Sequence, residues 1–149
     1  MKVLFVCTAN ACRSQMAEAW ARVLFPAGWS AASCGLFPHR VSERARWVMQ
    51  EAGVGMDGQE SKSYDQVDLD AFDLIVSLSE EAGRFLPEPG DPRRHRRVPV
   101  DDPVTATGTV EEIRDAFRAG RQRIRAIVQD VVDGRLRPDS GDGGGPASP

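Results

Sequence analysis

Cys7 follows a run of four apolar residues, Val3 to Val6, and Arg13 stands six positions later, where an apolar pattern of helical spacing begins. An ionised thiol is a nucleophile, and a guanidinium fork holds two oxygens of a tetrahedral oxyanion. Cys-x5-Arg alone is weak evidence in a chain this rich in arginine, so the flanking residues must carry the inference. They do: a strand pattern precedes the cysteine, a helix pattern starts at the arginine, and a hydroxyl, Ser14, follows directly. A tight loop entering a helix aims unpaired N–H groups at one point, and the helix dipole adds positive potential there. Residues Thr8, Ala9, Asn10, Ala11, Cys12, Arg13 and Ser14 make that loop. Arginine in a first helical turn has the wrong sign for the dipole unless an anion sits beside it. The same field stabilises a thiolate, and thiols at helix N-termini fall from ~8.5 to roughly 3.5–7.5. Ser14 can donate to the sulfur, and Asn10 is a residue type that tolerates a left-handed turn. The loop reads as a nucleophile aimed at a bound phosphate-like anion. An inert buried cysteine is the rival reading, and it leaves Arg13 unexplained.

The elements that must position this loop follow from periodicity. Lys2 to Val6 reads as a short buried strand, and Arg13 to about Leu24 as a helix with Met16, Ala17, Trp20, Val23 and Leu24 on one face. Trp29 to Ser33 is a second strand candidate. Glu43 to Ala52 is a second helix, with Ser42 as N-cap and Gly53 just past its end. Asp73 to Leu78 is the clearest strand, suited to the middle of a sheet, and a short helix follows near Glu80 to Phe85. Arg97 to Val100 is a fourth strand, which Pro99 confines to an edge. Thr109 and Glu112 form a capping box for a last helix whose Ile113, Phe117, Ile124, Ile127, Val128 and Val131 recur until Gly134. This alternation predicts an α/β fold: a four-stranded parallel sheet with helices on both faces and the anion loop beyond the carboxyl end of its first strand.

The bulk numbers agree with one catalytic domain over residues 1–137, followed by a Gly/Pro/Ser-rich tail, 138–149, expected to be disordered. The chain has 149 residues, 41% of them hydrophobic and 28% charged, with a formal net charge of -3. That balance argues against a nucleic-acid binder, and the basic stretch Arg93 to Arg97 reads as a solvated loop. No apolar run is long enough for a signal peptide or a membrane span, so the expected location is cytoplasmic. Cys7, Cys12 and Cys34 are odd in number and unevenly spaced, which suits reduced thiols rather than a disulfide framework. His39 and His95 show no ligand spacing relative to them, so no metal is expected. Trp20 and Trp47 border apolar helix faces and read as core.

The opening "VLFVCTANACRSQMAEAWA", with "GQESK", "FDLIVSLS" and "VDDP", resembles the low-molecular-weight protein tyrosine phosphatases and the arsenate reductases that share their fold. The resemblance implies that Cys7 is the nucleophile, Arg13 the anion clamp and Asp102, before Pro103, the general acid, with Asp101 as the less suited neighbour. Phosphatases of this type usually carry an aromatic residue after Asp-Pro to wall a phosphotyrosine pocket; here Val104 and Thr105 follow. The resemblance therefore points to the arsenate reductase branch, with phosphatase action through a phosphocysteine as the alternative and a non-catalytic oxyanion-binding module as a third reading. Thioredoxin-linked reductases also carry two further cysteines, and their places hold Ser79 and Leu86. The second thiol is then external, from thioredoxin, glutaredoxin or a low-molecular-weight thiol, or it is Cys34; Cys12 is a candidate for a protective disulfide with Cys7. No bound cofactor is implied.

Overall fold

The structure is a computed structural model and describes residues 1–140. Four strands, β1 (Lys2–Cys7), β2 (Ser30–Gly35), β3 (Leu74–Ser77) and β4 (His95–Arg97), form one sheet in the order β2-β1-β3-β4. Every pairing is parallel, with Val6 opposite Cys34 and Ser77, and Cys7 opposite Gly35. Parallel strands need both faces covered, which is why β1 and β3 are apolar almost throughout. Helices α1 (Arg13–Leu24), α2 (Glu43–Glu51) and α4 (Val110–Val132) bury their apolar faces in one cluster with Val3, Phe5 and Val76. The opposite face, with Leu4, Val6 and Ile75, is covered by α3 (Glu80–Phe85) and by the segment around Phe72.

β1 lies between β2 and β3, so the chain leaves it in one direction and returns on its other side. That is the switch point at which parallel sheets open a crevice beyond their carboxyl ends, and the Cys7–Arg13 loop occupies it.

Several boundaries differ from expectation. β2 starts and ends later than Trp29 to Ser33, because the Trp29 N–H closes a turn on the Pro26 carbonyl and its ring packs edge-on against Phe25. β4 is shifted earlier than Arg97 to Val100. The Val98 and Val100 N–H groups still reach the Ser77 and Leu78 carbonyls, but Pro99 between them has no N–H and interrupts the ladder. Val23, expected on the inward face of α1, is 60% exposed, while Leu24 beside it is partly buried against the core. Trp47 is half exposed rather than core, with the Arg114 and Arg118 guanidiniums 5.0 and 5.4 Å from its ring centre. The arginines of 93–97 are tied down individually: Arg93 to Asp91, Arg96 to Asp139 and Arg97 to Glu88. At the chain's end, Asp139 also donates its N–H to the Arg93 carbonyl at 2.9 Å; residues 141–149 of the expected tail lie outside the described residues. Among the described residues no helix is long and apolar enough to cross a membrane, and no three His, Cys, Asp or Glu side chains gather to hold a metal ion.

Candidate active site

The Thr8–Cys12 segment turns its carbonyls outward, and each has a donor waiting. Leu36 and Phe37 donate to the Thr8 carbonyl, His39 and Ser61 to that of Ala9, Ser42 to that of Ala11, and Met16 to that of Cys12. The Gln15 amide takes the Asn10 carbonyl at 3.0 Å. In a planar trans peptide the N–H points opposite to the C=O, so fixing these carbonyls outward directs the N–H groups of residues 9–13 inward. The turn is completed at Asn10, the one described non-glycine residue with positive φ, at 48°. Its side chain compensates, because Oδ1 accepts the Lys62 N–H and Nδ2 donates to Ser14 and Ser33. Gly35 is needed opposite: a Cβ there would lie 2.7 Å from the Asn10 nitrogen.

Cys7 is buried at the start of this loop with Sγ 2.8 Å from Ser14 Oγ. Arg13 is only 7% exposed. Its Nη1 donates to the Val100 carbonyl at 2.9 Å and its Nη2 lies 3.4 Å from Asp102 Oδ2, while Nε is buried with no partner. A buried guanidinium N–H left unbonded is costly, and the deficit is removed when an oxyanion accepts it. Asp102 caps the short turn Pro103–Thr105 by accepting the Val104 N–H through Oδ1, which leaves Oδ2 toward Arg13. Cys7, Cys12, Arg13, His39, Asp102 and Val104, with Ala9 and Ala11, line one cavity of about 180 Å³. Cys7, Arg13 and Asp102, which the resemblance implies as nucleophile, anion clamp and general acid, therefore line the same cavity.

The other two thiols are placed differently. Cys12 lines the cavity, but burial, and next the neighbouring Cys7 and Asp102, push its thiol well above the ordinary value. Cys34 is fully buried beside Leu4 and Val6, on the face of the sheet opposite to Cys7. Burial is the main reason its thiol is pushed up to about 12. Ser79 caps α3 by accepting the Ala82 N–H and also accepts the Thr8 hydroxyl, 3.0 Å away. Leu86 is packed in the apolar cluster of that face.

Sequence reasoning singled out no role for Gln15, Glu18, Ser33, Gln59 or Val100. The segments "RSQMAE" and "GQESK" carried a signal for three of them as stretches of resemblance, but nothing in their spacing shows that residues 44 positions apart bond to each other.

A family model described as low molecular weight phosphotyrosine protein phosphatase matches residues 2–137. The chain belongs to that family, and is an enzyme of it. It is 36% identical over 131 residues to an arsenate reductase of Halalkalibacterium halodurans, which covers 88% of this chain and 94% of that one. It is 42% identical over 131 residues to a glutaredoxin arsenate reductase of Synechocystis sp., with 88% and 95% coverage. Among solved structures, an arsenate reductase in the phosphate binding state superposes with a TM-score of 0.75 at 29% identity, covering 89% of this chain and 97% of that one.

Proposed function

We propose that the protein is an arsenate reductase that draws its second thiol from outside the chain. The observation that carries this reading is the buried, unpartnered Nε of Arg13 beside Cys7, within a loop whose carbonyls all face outward. Such a site is complementary to a tetrahedral oxyanion. The Cys7 thiolate attacks arsenic and an arsenate oxygen leaves as water, with Asp102 supplying a proton. A second thiolate then attacks the Cys7 sulfur. The sulfur–arsenic bonding pair departs with arsenic, which leaves as arsenite, and a mixed disulfide remains for a further thiol to reduce. Cys34 is a poor second thiol because the sheet separates it from Cys7 and its thiolate is disfavoured. Cys12 is near, but its thiolate is disfavoured by the same burial. A glutaredoxin or a low-molecular-weight thiol suits a chain with serine and leucine at positions 79 and 86.

The lining favours reduction over ester hydrolysis. Among the described residues, no Phe, Tyr or Trp lines the cavity, and Val104, at the position after Asp102-Pro103, is 52% exposed and too short to wall an aryl ring. A paired assay tests this: arsenite release with glutathione and glutaredoxin, with thioredoxin, and with glutathione alone, beside aryl phosphate hydrolysis. Thiol-dependent arsenite release that is lost in Cys7→Ser and unchanged in Cys34→Ser is expected. Efficient Cys7-dependent ester hydrolysis without arsenate turnover would make the protein a phosphatase.

A further inference from the structure

Reduction consumes a thiol from outside, and that thiol must reach Cys7 as a thiolate, because the protonated form is not the nucleophile. An ordinary thiol titrates near 8.5, so at pH 7 only about 3% of it is ready. A group in the cavity that took the proton would lift that limit. Most of the lining is unsuited to it. Cys7 is bonded to arsenic at this stage, and Arg13 only donates. Burial, and next Cys7 and Asp102, push the Cys12 thiol well above the ordinary value, so it keeps its own proton. Asp102, as a carboxylate, has both oxygens engaged, Oδ1 by the Val104 N–H and Oδ2 by Arg13 at 3.4 Å. His39 is the lining residue that remains with a proton to exchange.

The fold fixes the backbone of this histidine and leaves its ring free. Residues 36–42, between β2 and α2, run beside the anion loop. The Leu36 and Phe37 N–H groups meet the Thr8 carbonyl, that of His39 the Ala9 carbonyl at 3.0 Å, and that of Ser42 the Ala11 carbonyl at 2.8 Å. Pro38, directly before it, locks one further dihedral. His39 lines the cavity with Cys7 and Asp102, yet it is exposed and its ring has no hydrogen-bond partner among the described residues. A molecule entering from solvent therefore meets an unengaged imidazole. His95 is the contrast, with both ring nitrogens engaged, by Ser77 and Glu88. Imidazole is also the side chain whose ordinary titration falls between pH 5 and 8.

We infer that His39 takes the proton of the incoming thiol and holds the resulting thiolate beside the Cys7–arsenic adduct as an ion pair. The inference rests on the reductase reading. The S–H proton passes to the imidazole, and the thiolate pair forms a bond to Cys7 Sγ. The Sγ–arsenic bond breaks with its electrons going to arsenic, which is reduced from the pentavalent to the trivalent state while the two sulfurs become a disulfide. The imidazolium proton then passes to an oxygen of the departing arsenite, and His39 is neutral again.

The test is arsenite release at pH 7, with saturating arsenate and limiting thiol, across small thiols that titrate from about 5 to about 9. His39→Gln is compared with the parent in the full chain, with Cys7→Ser as blank. Without help, the rate per total thiol is greatest when the thiol titrates near the ambient pH and falls above it. The parent is expected to resist that fall. His39→Gln is expected to be about tenfold slower with thiols that titrate near 8.5 to 9, and within about twofold of the parent with those already ionised. A structural role would slow every thiol alike. The same loss with every thiol, or no loss with any, overturns the inference, while arsenite release by the parent keeps the reductase reading. No arsenite from the parent with any thiol overturns both.

Discussion

Asp102 serves two partners with its two oxygens: Oδ1 is spent on capping the turn at Val104, and Oδ2 faces Arg13. Asn at 102 keeps the capping acceptor while removing the transferable proton. Asp102→Asn is therefore expected to fold normally, bind inorganic phosphate at least as well as the parent, and lose about 10²- to 10⁴-fold in kcat for arsenate. Equal kcat in parent and variant would take Asp102 out of the proposed chemistry. Arg13 makes the complementary case: lysine keeps the charge and loses the fork and Nε, and Arg13→Lys should cost about 10²- to 10³-fold in kcat/KM. At this scale Cys7 and Arg13 were legible from the sequence because each would be anomalous without the other. Asp102 was selected only by resemblance, since nothing in a run of acidic residues marks the one that the fold turns toward a cation. The Cys34 placement was not legible either: the period of a strand says that neighbours alternate, but not which face of the sheet holds Cys7.

Elements place these residues through two close backbone approaches. One is Gly35 against the anion loop. The other is Gly120 on α4, where an added Cβ would stand 2.8 Å from Pro103 Cγ, one residue from Asp102. Pro103 is buried and cannot easily retreat. Gly120→Ala is thus expected to shift the Pro103–Thr105 turn and lower kcat while phosphate affinity changes little, because the anion loop itself is untouched. Unaltered kcat with a normal melting temperature would show that the turn absorbs the methyl group. The helices were largely readable from capping and periodicity, Ser42, Thr109 and Glu112 performing the expected roles. The strand ends were less so, since register against a neighbour, not propensity, ends β2 at Gly35 and shortens β4 before Pro99.

At the scale of the whole molecule, a buried histidine on the outer strand bears on how stability responds to pH. His95 on β4 lies between Ser77 Oγ, 2.8 Å from Nε2, and Glu88, 3.1 Å from Nδ1. Burial, the largest influence, holds it below the ordinary value of 6.5 despite Glu88. The unfolded chain therefore takes up a proton before the folded one does, and stability present above about pH 6.5 is lost as pH falls from there toward the folded value. The expected observation is a melting temperature that declines from pH 7 to 5.5 and declines less steeply in His95→Gln. Parallel slopes would show that His95 does not govern acid sensitivity. The sheet order that puts Cys7 at a crevice was anticipated in class, but the order itself, β2-β1-β3-β4, required the structure because several arrangements satisfy the same alternation.

The buried hydrogen bonds that join Arg22 to Glu18 and Gln59, and Glu18 to Ser33, also constrain how this sequence can drift. Each bond pairs one donor with one acceptor, so exchanging one for the other at a buried position sets two like groups against each other. Losses at 18, 22, 33 and 59 should accordingly be non-additive within the touching pairs 18/22, 18/33 and 22/59. Pairwise mutational scanning scored on folded protein would reveal that dependence as linked positions, and the loop that carries Cys7 would inherit its history from residues behind it.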